Sequence, residues 1–282
     1  MTAEAFRTWV DAQPAALGSE WVGTLEERKQ EEAHFHDADR LDHRDEVAAN
    51  SSNRRFYESM SPARTWMAEW VTRHAPGAIV LDYACGHGSQ ALKAVHAGAA
   101  LAVGIDVSEV SVGNARELAD RAGFAESTRF LQRDCEATGF PDNTFDAAIC
   151  SGMLHHLDLE RALPELHRVM KPGGRILCFE ALSYNPIIRL YRRWTPHLRT
   201  EWERQHILGM KDLRMARRWF SVENVHFFNI LSPLAILLPA GWPRQAALRV
   251  LTAIDSALTR IPLVQLLSWV FVFELVKGES KR

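Results

Sequence analysis

The chain has little cysteine, four residues in 282, and no two of them (Cys85, Cys135, Cys150, Cys178) are closely spaced. That spacing excludes a disulfide frame or a cysteine-built zinc site; each lies in or just after an apolar run and reads as a reduced core thiol of a cytoplasmic protein. No charge of one sign dominates: 33 Lys and Arg face 35 Asp and Glu, a formal net charge of −2. A field able to gather nucleic acid over the whole molecule is therefore missing. No apolar run approaches the ~20 residues a membrane span requires. The longest, 230–238 and 264–273, are broken or bounded by Pro233, Pro239, Pro262 and Gln265. Spanning is excluded, whereas peripheral contact with a membrane surface stays open. Residues 1–18 carry acids and no apolar stretch behind a basic start, unlike a secretory signal. Repeats and low-complexity tracts are absent as well, so the chain is read once from end to end.

What is present is ordinary globular composition, 47% apolar and 24% charged, in a length that buries a core of its own. Residues 20–46 hold ten acids against four bases with sparse apolar points at Leu25, Phe35 and Leu41. This stretch reads as a solvated helix or helix pair. From Ile79 the pattern becomes short apolar runs, 79–83, 101–105, 128–132, 147–150 and 175–180, too short for core helices and read as buried strands. Between them 89–97, 110–122 and 159–170 have helical periodicity, the last closed by Lys171-Pro172-Gly173-Gly174. The alternation predicts an α/β fold, a doubly wound parallel sheet with right-handed crossovers. After it come a helix over 211–220, a sixth strand over 221–229, an apolar helical insert over 232–263 and a last strand over 268–277. The expected organisation is an N-terminal helical lid segment over 1–74 and a domain over 75–282, capped by inserts at about 183–208 and 232–263.

The strongest local signal is Val80-Leu81-Asp82-Tyr83-Ala84-Cys85-Gly86-His87-Gly88, which follows a strand and opens a helix. Ligands of open α/β sheets sit outside the carboxyl ends of the strands, where small residues let the backbone approach. Gly86 and Gly88 alone could mark an ordinary turn, and Asp106 alone a helix N-cap. Their shared register favours a site: Asp106 ends the second strand, where a carboxylate accepts from two ribose hydroxyls, and Asp134-Cys135-Glu136 follows the third, placed for an adenine amino group. A fourth strand then runs into Ser151-Gly152-Met153-Leu154-His155-His156.

Together these residues resemble the class I S-adenosylmethionine-dependent methyltransferases, in particular the branch of quinone-biosynthesis and specialised-metabolite enzymes, over roughly 79–180. The resemblance implies a Rossmann-like seven-stranded sheet with an antiparallel last strand, and S-adenosylmethionine as cofactor. It implies that Asp82, Ala84, Cys85, Gly86, His87 and Gly88 line the methionine moiety and that Asp106, followed by Val107, holds the ribose. Asp134, the Cys135 amide and Glu136 would meet the adenine, and the Ser151 backbone the amino group. Tyr57 would close over the cofactor as part of a lid built on Asn53–Tyr57, or else pack on the following helix. Ala84 departs from the pattern, standing where the family usually has its first glycine.

The sulfonium methyl arrives activated, so the protein has to align an acceptor and exclude water; a carbon acceptor also needs a base. Glu180, ending the fifth strand, is the base candidate, with ion pairing to an arginine as its alternative; His155 and His156 come second, with a structural role as theirs. Between Arg189 and Arg218 eight arginines and Lys211 face three acids. Tyr191, Arg192, Arg193 and Arg199 are the acceptor-binding candidates there, fitting a small molecule with an apolar body and an anionic end, such as a prenyl diphosphate or quinone precursor. A solvated helix face accounts for them equally. His34, His36, Asp37, Asp39 and His43 match no zinc spacing and read as solvated, so no protein metal site is expected; Mg2+ enters only with a diphosphate acceptor. Two other functions share these features, a nicotinamide (NAD) oxidoreductase, whose third loop glycine is replaced by Ala91, and a methyltransferase-like fold that keeps the cofactor without transferring its methyl. A nucleic-acid methyltransferase is disfavoured because no Asn/Asp-Pro-Pro-aromatic tetrad follows the fourth strand.

Overall fold

The computed structural model describes residues 1–42, 59–195 and 199–279, with the side chains of 39–42 and 191 outside the description. The chain opens with three helices, α1 (Ala3–Asp11), α2 (Gly18–Gly23) and α3 (Glu27–Asp42). After α4 (Ser61–His74) come β1 (Ile79–Tyr83), α5 (Ser89–His96), β2 (Leu101–Asp106), α6 (Glu109–Arg121) and β3 (Thr128–Gln132). Then follow β4 (Phe145–Ser151), α7 (Leu159–Val169) and β5 (Met170–Ala181), and, beyond the sheet's parallel part, α8 (Pro186–Trp194), α9 (Glu201–Gln205) and α10 (Met210–Ala216). Next is β6 (Ser221–Phe228), then α11 (Trp242–Leu258), and β7 (Val270–Val276) closes the fold.

The sheet order is β3-β2-β1-β4-β5-β7-β6, parallel from β3 through β5, with β7 antiparallel to both β5 and β6. Helices on both faces explain why β1 and β2 are apolar without alternation and wholly buried: neither face meets water. The expected strands match these elements within a few residues. β5 starts earlier than expected, because Met170 already pairs with Phe145 before Lys171–Gly174 bulge out and pairing resumes at Ala147 with Arg175. The apolar insert resolves into a 3-10 turn at Ser232–Leu237, helix α11 and a second turn at Val264–Leu267.

The expected N-terminal lid divides into parts with different work. Phe6 and Val10 of α1 are buried in the core on one face, with the Phe6 ring edge-on to Phe140 and Phe145. Met67, Trp70 and Val71 of α4 join the core on the other face. Fully burying one such side chain is worth ~1.5–3 kcal/mol, so both helices are structural parts of the sheet domain. Helix α3 covers the mouth of the sheet at the carboxyl ends of β1 and β4, where a doubly wound fold leaves its crevice, and α4 lines its side.

Candidate active site

The crevice is a cavity of about 1420 Å3 at the carboxyl ends of β1, β2 and β4. Its floor is the loop after β1. Gly88 has φ +78°, and a Cβ there would lie 2.7 Å from the Phe130 ring and 2.9 Å from Ala115; one on Gly104 would lie 2.5 Å from the same ring. Close approach of β2, β3 and α6 thus requires glycine at both positions. Ala84 adopts φ +53°, a left-handed conformation costing ~1–2 kcal/mol for a residue with a Cβ, and it still lines the cavity.

Three carboxylates converge here. Asp82 is 2% exposed and accepts from the Ala91 amide at 2.9 Å, tying β1 to the start of α5. Burial pushes its carboxyl up to about 7, against the opposing pull of that amide. Asp106 accepts from the Gly86 amide at 2.8 Å and the Ser108 amide at 3.0 Å. An ionised carboxylate has about four acceptor positions, so Asp106 retains capacity toward the cavity it lines. Asp134 accepts from the Glu136 amide at 2.9 Å and also borders the cavity, as do Cys85, Gly86, His87, Val107, Cys135 and Ser151. Gly88 stands below the loop as a packing glycine. Glu136 is turned away from the cavity wall: its carboxylate takes Arg28 and Lys29, each at 2.7 Å, and the Asp158 amide. Tyr57 and the Asn53–Tyr57 segment lie outside the described residues.

The cover is α3, and the charged residues of its inner face are paired, which corrects the solvated reading for that face, while Glu27 and Glu31 are exposed. Arg28, Lys29, Glu32 and His36 recur at helical spacing on one face and line the cavity. Lys29 Nζ reaches Asp134 at 2.7 Å as well as Glu136, and Arg28 also stacks over the Trp202 ring at 4.4 Å. Burial alone would lower the Lys29 ammonium, but the two carboxylates outweigh it and raise it. Further along, Glu32 is 5% exposed, its Oε2 2.8 Å from His156 Nδ1 and 3.5 Å from His36 Nε2, while Thr200 Oγ donates to Oε1. Burial would raise the Glu32 carboxyl; His156 and then His36 hold it far below the carboxylate range, and Glu32 in turn lifts His156 against its own burial. Asp37 accepts from Ser108 Oγ, beside Asp106. Asp39 and His43 lie outside the described side chains, and His34 is exposed.

Glu180 is not placed as a base. It is fully buried and accepts three donors, the Met153 amide at 2.8 Å, the Leu154 amide at 2.6 Å and His155 Nδ1 at 2.7 Å. Side chains alternate along β5, so Phe179 faces the cavity and Glu180 faces the loop after β4. Its role is to fix that loop, whose Met153 and His156 do line the cavity; His155 is buried against Glu180 and stays off the wall. The arginine-rich excursion also turns elsewhere. Arg192 and Arg199 converge on Glu203 at 2.8 and 3.3 Å, Arg193 is exposed, and none of the three lines the cavity. Tyr191 lies on α8 with its side chain outside the description. The basic residues on the wall are instead Arg28, Lys29, Arg64 and Lys93.

A family model described as a methyltransferase domain matches residues 81–178. Among curated relatives, the sterol 24-C-methyltransferase of Gibberella zeae is 37% identical over 108 residues, 38% of this chain and 28% of that protein. The ubiquinone/menaquinone biosynthesis C-methyltransferase of Bartonella quintana is 34% identical over 163 residues, 54% of this chain and 62% of that protein. In both cases the chain spans less than two thirds of the relative's length. Among solved structures, the magnesium protoporphyrin IX methyltransferase of Synechocystis with bound S-adenosylhomocysteine superposes with a TM-score of 0.60 at 16% identity, covering 89% of this chain and all of that one. This last likeness is one of fold.

Proposed function

We propose that this chain, whose sheet and β1–β5 motifs form a class I S-adenosylmethionine-dependent methyltransferase domain, transfers a methyl group to a small acceptor with an apolar body. The observation that carries the reading is Asp106: a buried carboxylate at the end of β2, held by the Gly86 amide of the loop after β1, with capacity left toward the cavity. Bound there, S-adenosylmethionine supplies an electrophilic methyl on a cationic sulfur. Asp106 accepts from the ribose hydroxyls, with Val107 alongside. The 84–87 loop and Asp82 hold the methionine end, and Ser151 meets its amino group. Asp134 keeps acceptor capacity for the adenine amine beyond what Lys29 and the Glu136 amide take, one on each oxygen.

On transfer the acceptor's nucleophilic pair would take the methyl carbon as the carbon–sulfur pair returns to sulfur, and any proton the acceptor loses would leave to water in the cavity. Four imidazoles, His36, His87, His96 and His156, stand on the cavity wall, and Glu180, which is off it, is not placed to take that proton. Met153, Leu157 and Phe179 give the apolar contact, and α3 excludes water. Calorimetry with S-adenosylhomocysteine and S-adenosylmethionine tests the reading. Micromolar binding of both is expected, and binding of NADH in their place would remove it.

No helix among the described residues is long and apolar enough to cross a membrane. The insert after β6 nevertheless exposes Trp242 by 80%, Leu237 by 79% and Leu263 by 78%, along with Val250 and Ile261. Its one acid, Asp255, is buried under the 230–232 amides, so its exposed charges are Arg249 and Arg260. Exposed apolar side chains and two exposed arginines on one insert, with no exposed acid, fit an anionic lipid surface, from which an apolar acceptor would be drawn.

A further inference from the structure

The group of side chains around Glu32 does more than close a lid. We propose that Glu32, His36 and His156 form a site for a first-row divalent transition metal at the rim of the cavity. Glu32 and His36, four residues apart on α3, present their ligand atoms on one face, and His156 approaches from the loop after β4. One ligand atom from each lies within 4.8 Å of the others. Both imidazoles aim a ring nitrogen at the same oxygen, Oε2, at 2.8 and 3.5 Å. Ligands of a tetrahedral zinc, each ~2.0 Å from the metal, stand about 3.3 Å apart, and the two observed separations bracket that value.

The second coordination layer is present too. Thr200 Oγ donates to Glu32 Oε1, which fixes the carboxylate and leaves Oε2 for the metal. A neighbouring group, His155, His156 and Glu203, also has ligand spacing. It is the weaker alternative: Glu203 is already neutralised by Arg192 and Arg199, and His155 is committed to Glu180. Two imidazoles and one carboxylate suit zinc or iron(II), in contrast to the all-oxygen sets that magnesium takes. All three residues line the cavity, so the remaining coordination positions face it. The metal's task there, which rests on the methyl-transfer reading, is to hold an acceptor oxygen and favour its ionised, nucleophilic form. Binding of the metal itself does not depend on that reading.

The test uses the full chain stripped with a chelator and titrated with Zn2+ by calorimetry and with Co2+ by visible absorption, alongside a titration with S-adenosylhomocysteine. One equivalent of each metal is expected, with the Co2+ d–d bands of a low-coordinate nitrogen and oxygen site. His36→Ala should weaken binding more than tenfold, and Thr200→Val, acting through Glu32, by about tenfold. His34→Ala, on the exposed side of the same helix, should leave it unchanged. Failure of the wild-type chain to bind either metal stoichiometrically, or equal losses in His34→Ala and His36→Ala, would overturn the site; the wild-type titration decides even if a variant fails to fold. Metal-free protein that binds S-adenosylhomocysteine but no Zn2+ sinks this inference alone. Protein that binds Zn2+ but no S-adenosylhomocysteine sinks the methyltransferase reading alone.

Discussion

Replacing Glu180 with glutamine separates a positioning carboxylate from a catalytic one. Oε1 accepts both the Met153 and Leu154 amides and Oε2 accepts His155 Nδ1. In Glu180→Gln the amide oxygen can keep the two backbone donors, and the new NH2 can donate to His155 in its other tautomer. Partners therefore survive, but three bonds to a charged acceptor, worth ~1.5–3 kcal/mol each, become neutral ones worth ~1 kcal/mol. Relief of the burial cost of the charge offsets part of this, leaving a loss of about 2–3 kcal/mol. At ~2–4 °C per kcal/mol for a chain of this size, the thermal midpoint should fall by about 5–10 °C. Glu180→Ala would strand three buried donors at ~1–3 kcal/mol each, comparable with the entire stability of a domain, and should not accumulate folded. A catalytic base would behave differently, losing ~10²–10⁴ in turnover with little change in melting. Scanning calorimetry of Glu180→Gln decides: a midpoint within about 1 °C of the parent refutes the three-donor account.

Asp106→Ala should weaken S-adenosylhomocysteine binding by about 100-fold or more, the worth of two hydroxyl bonds to a carboxylate, read by calorimetry; an unchanged Kd would contradict the ribose assignment. Asp82 titrates near 7 in the folded chain against 3.8 as its ordinary value. The folded state therefore holds a proton that the unfolded state has lost, so the stabilising contribution of this group is complete below ~4 and disappears as pH rises through 7. The cofactor's ammonium should favour the ionised form, so binding near pH 6 releases protons and its heat varies with the buffer, an effect absent at pH 8.5 and in Asp82→Asn; buffer-independent heats at pH 6 would count against it. Vesicles containing anionic lipid should sediment the parent and much less of Trp242→Asp/Leu263→Asp, and equal sedimentation would remove the membrane face.

The sheet was legible because strands covered on both faces leave continuous apolar runs, as Ile79–Tyr83 does, and because Gly88, Asp106 and Asp134 fall at strand ends in register. The tertiary use of charge was hidden. Arg28 and Lys29 look solvated in a run of acids, yet their partners Asp134 and Glu136 stand more than a hundred residues away and meet them only when α3 crosses the sheet. A stripe at 28, 32 and 36 was the available signal. Glu180 was misassigned for a related reason: its place at a strand end was readable and its facing was not, because the loop that consumes its oxygens curls back from β4. Arg192 and Arg199 read as an anion grip in sequence, whereas in the fold Glu203 neutralises both.

The central claim is that the cleft above β1, β2 and β4 holds a nucleoside with a charged sulfur, its sugar anchored by Asp106. A crystal structure of the chain with S-adenosylhomocysteine tests it most directly. Both ribose hydroxyls should lie within hydrogen-bond distance of the Asp106 carboxylate, with the adenine beside Asp134 and the sulfur turned toward Met153 and His156. Density for the ligand elsewhere, or a ribose out of reach of Asp106, would contradict the account.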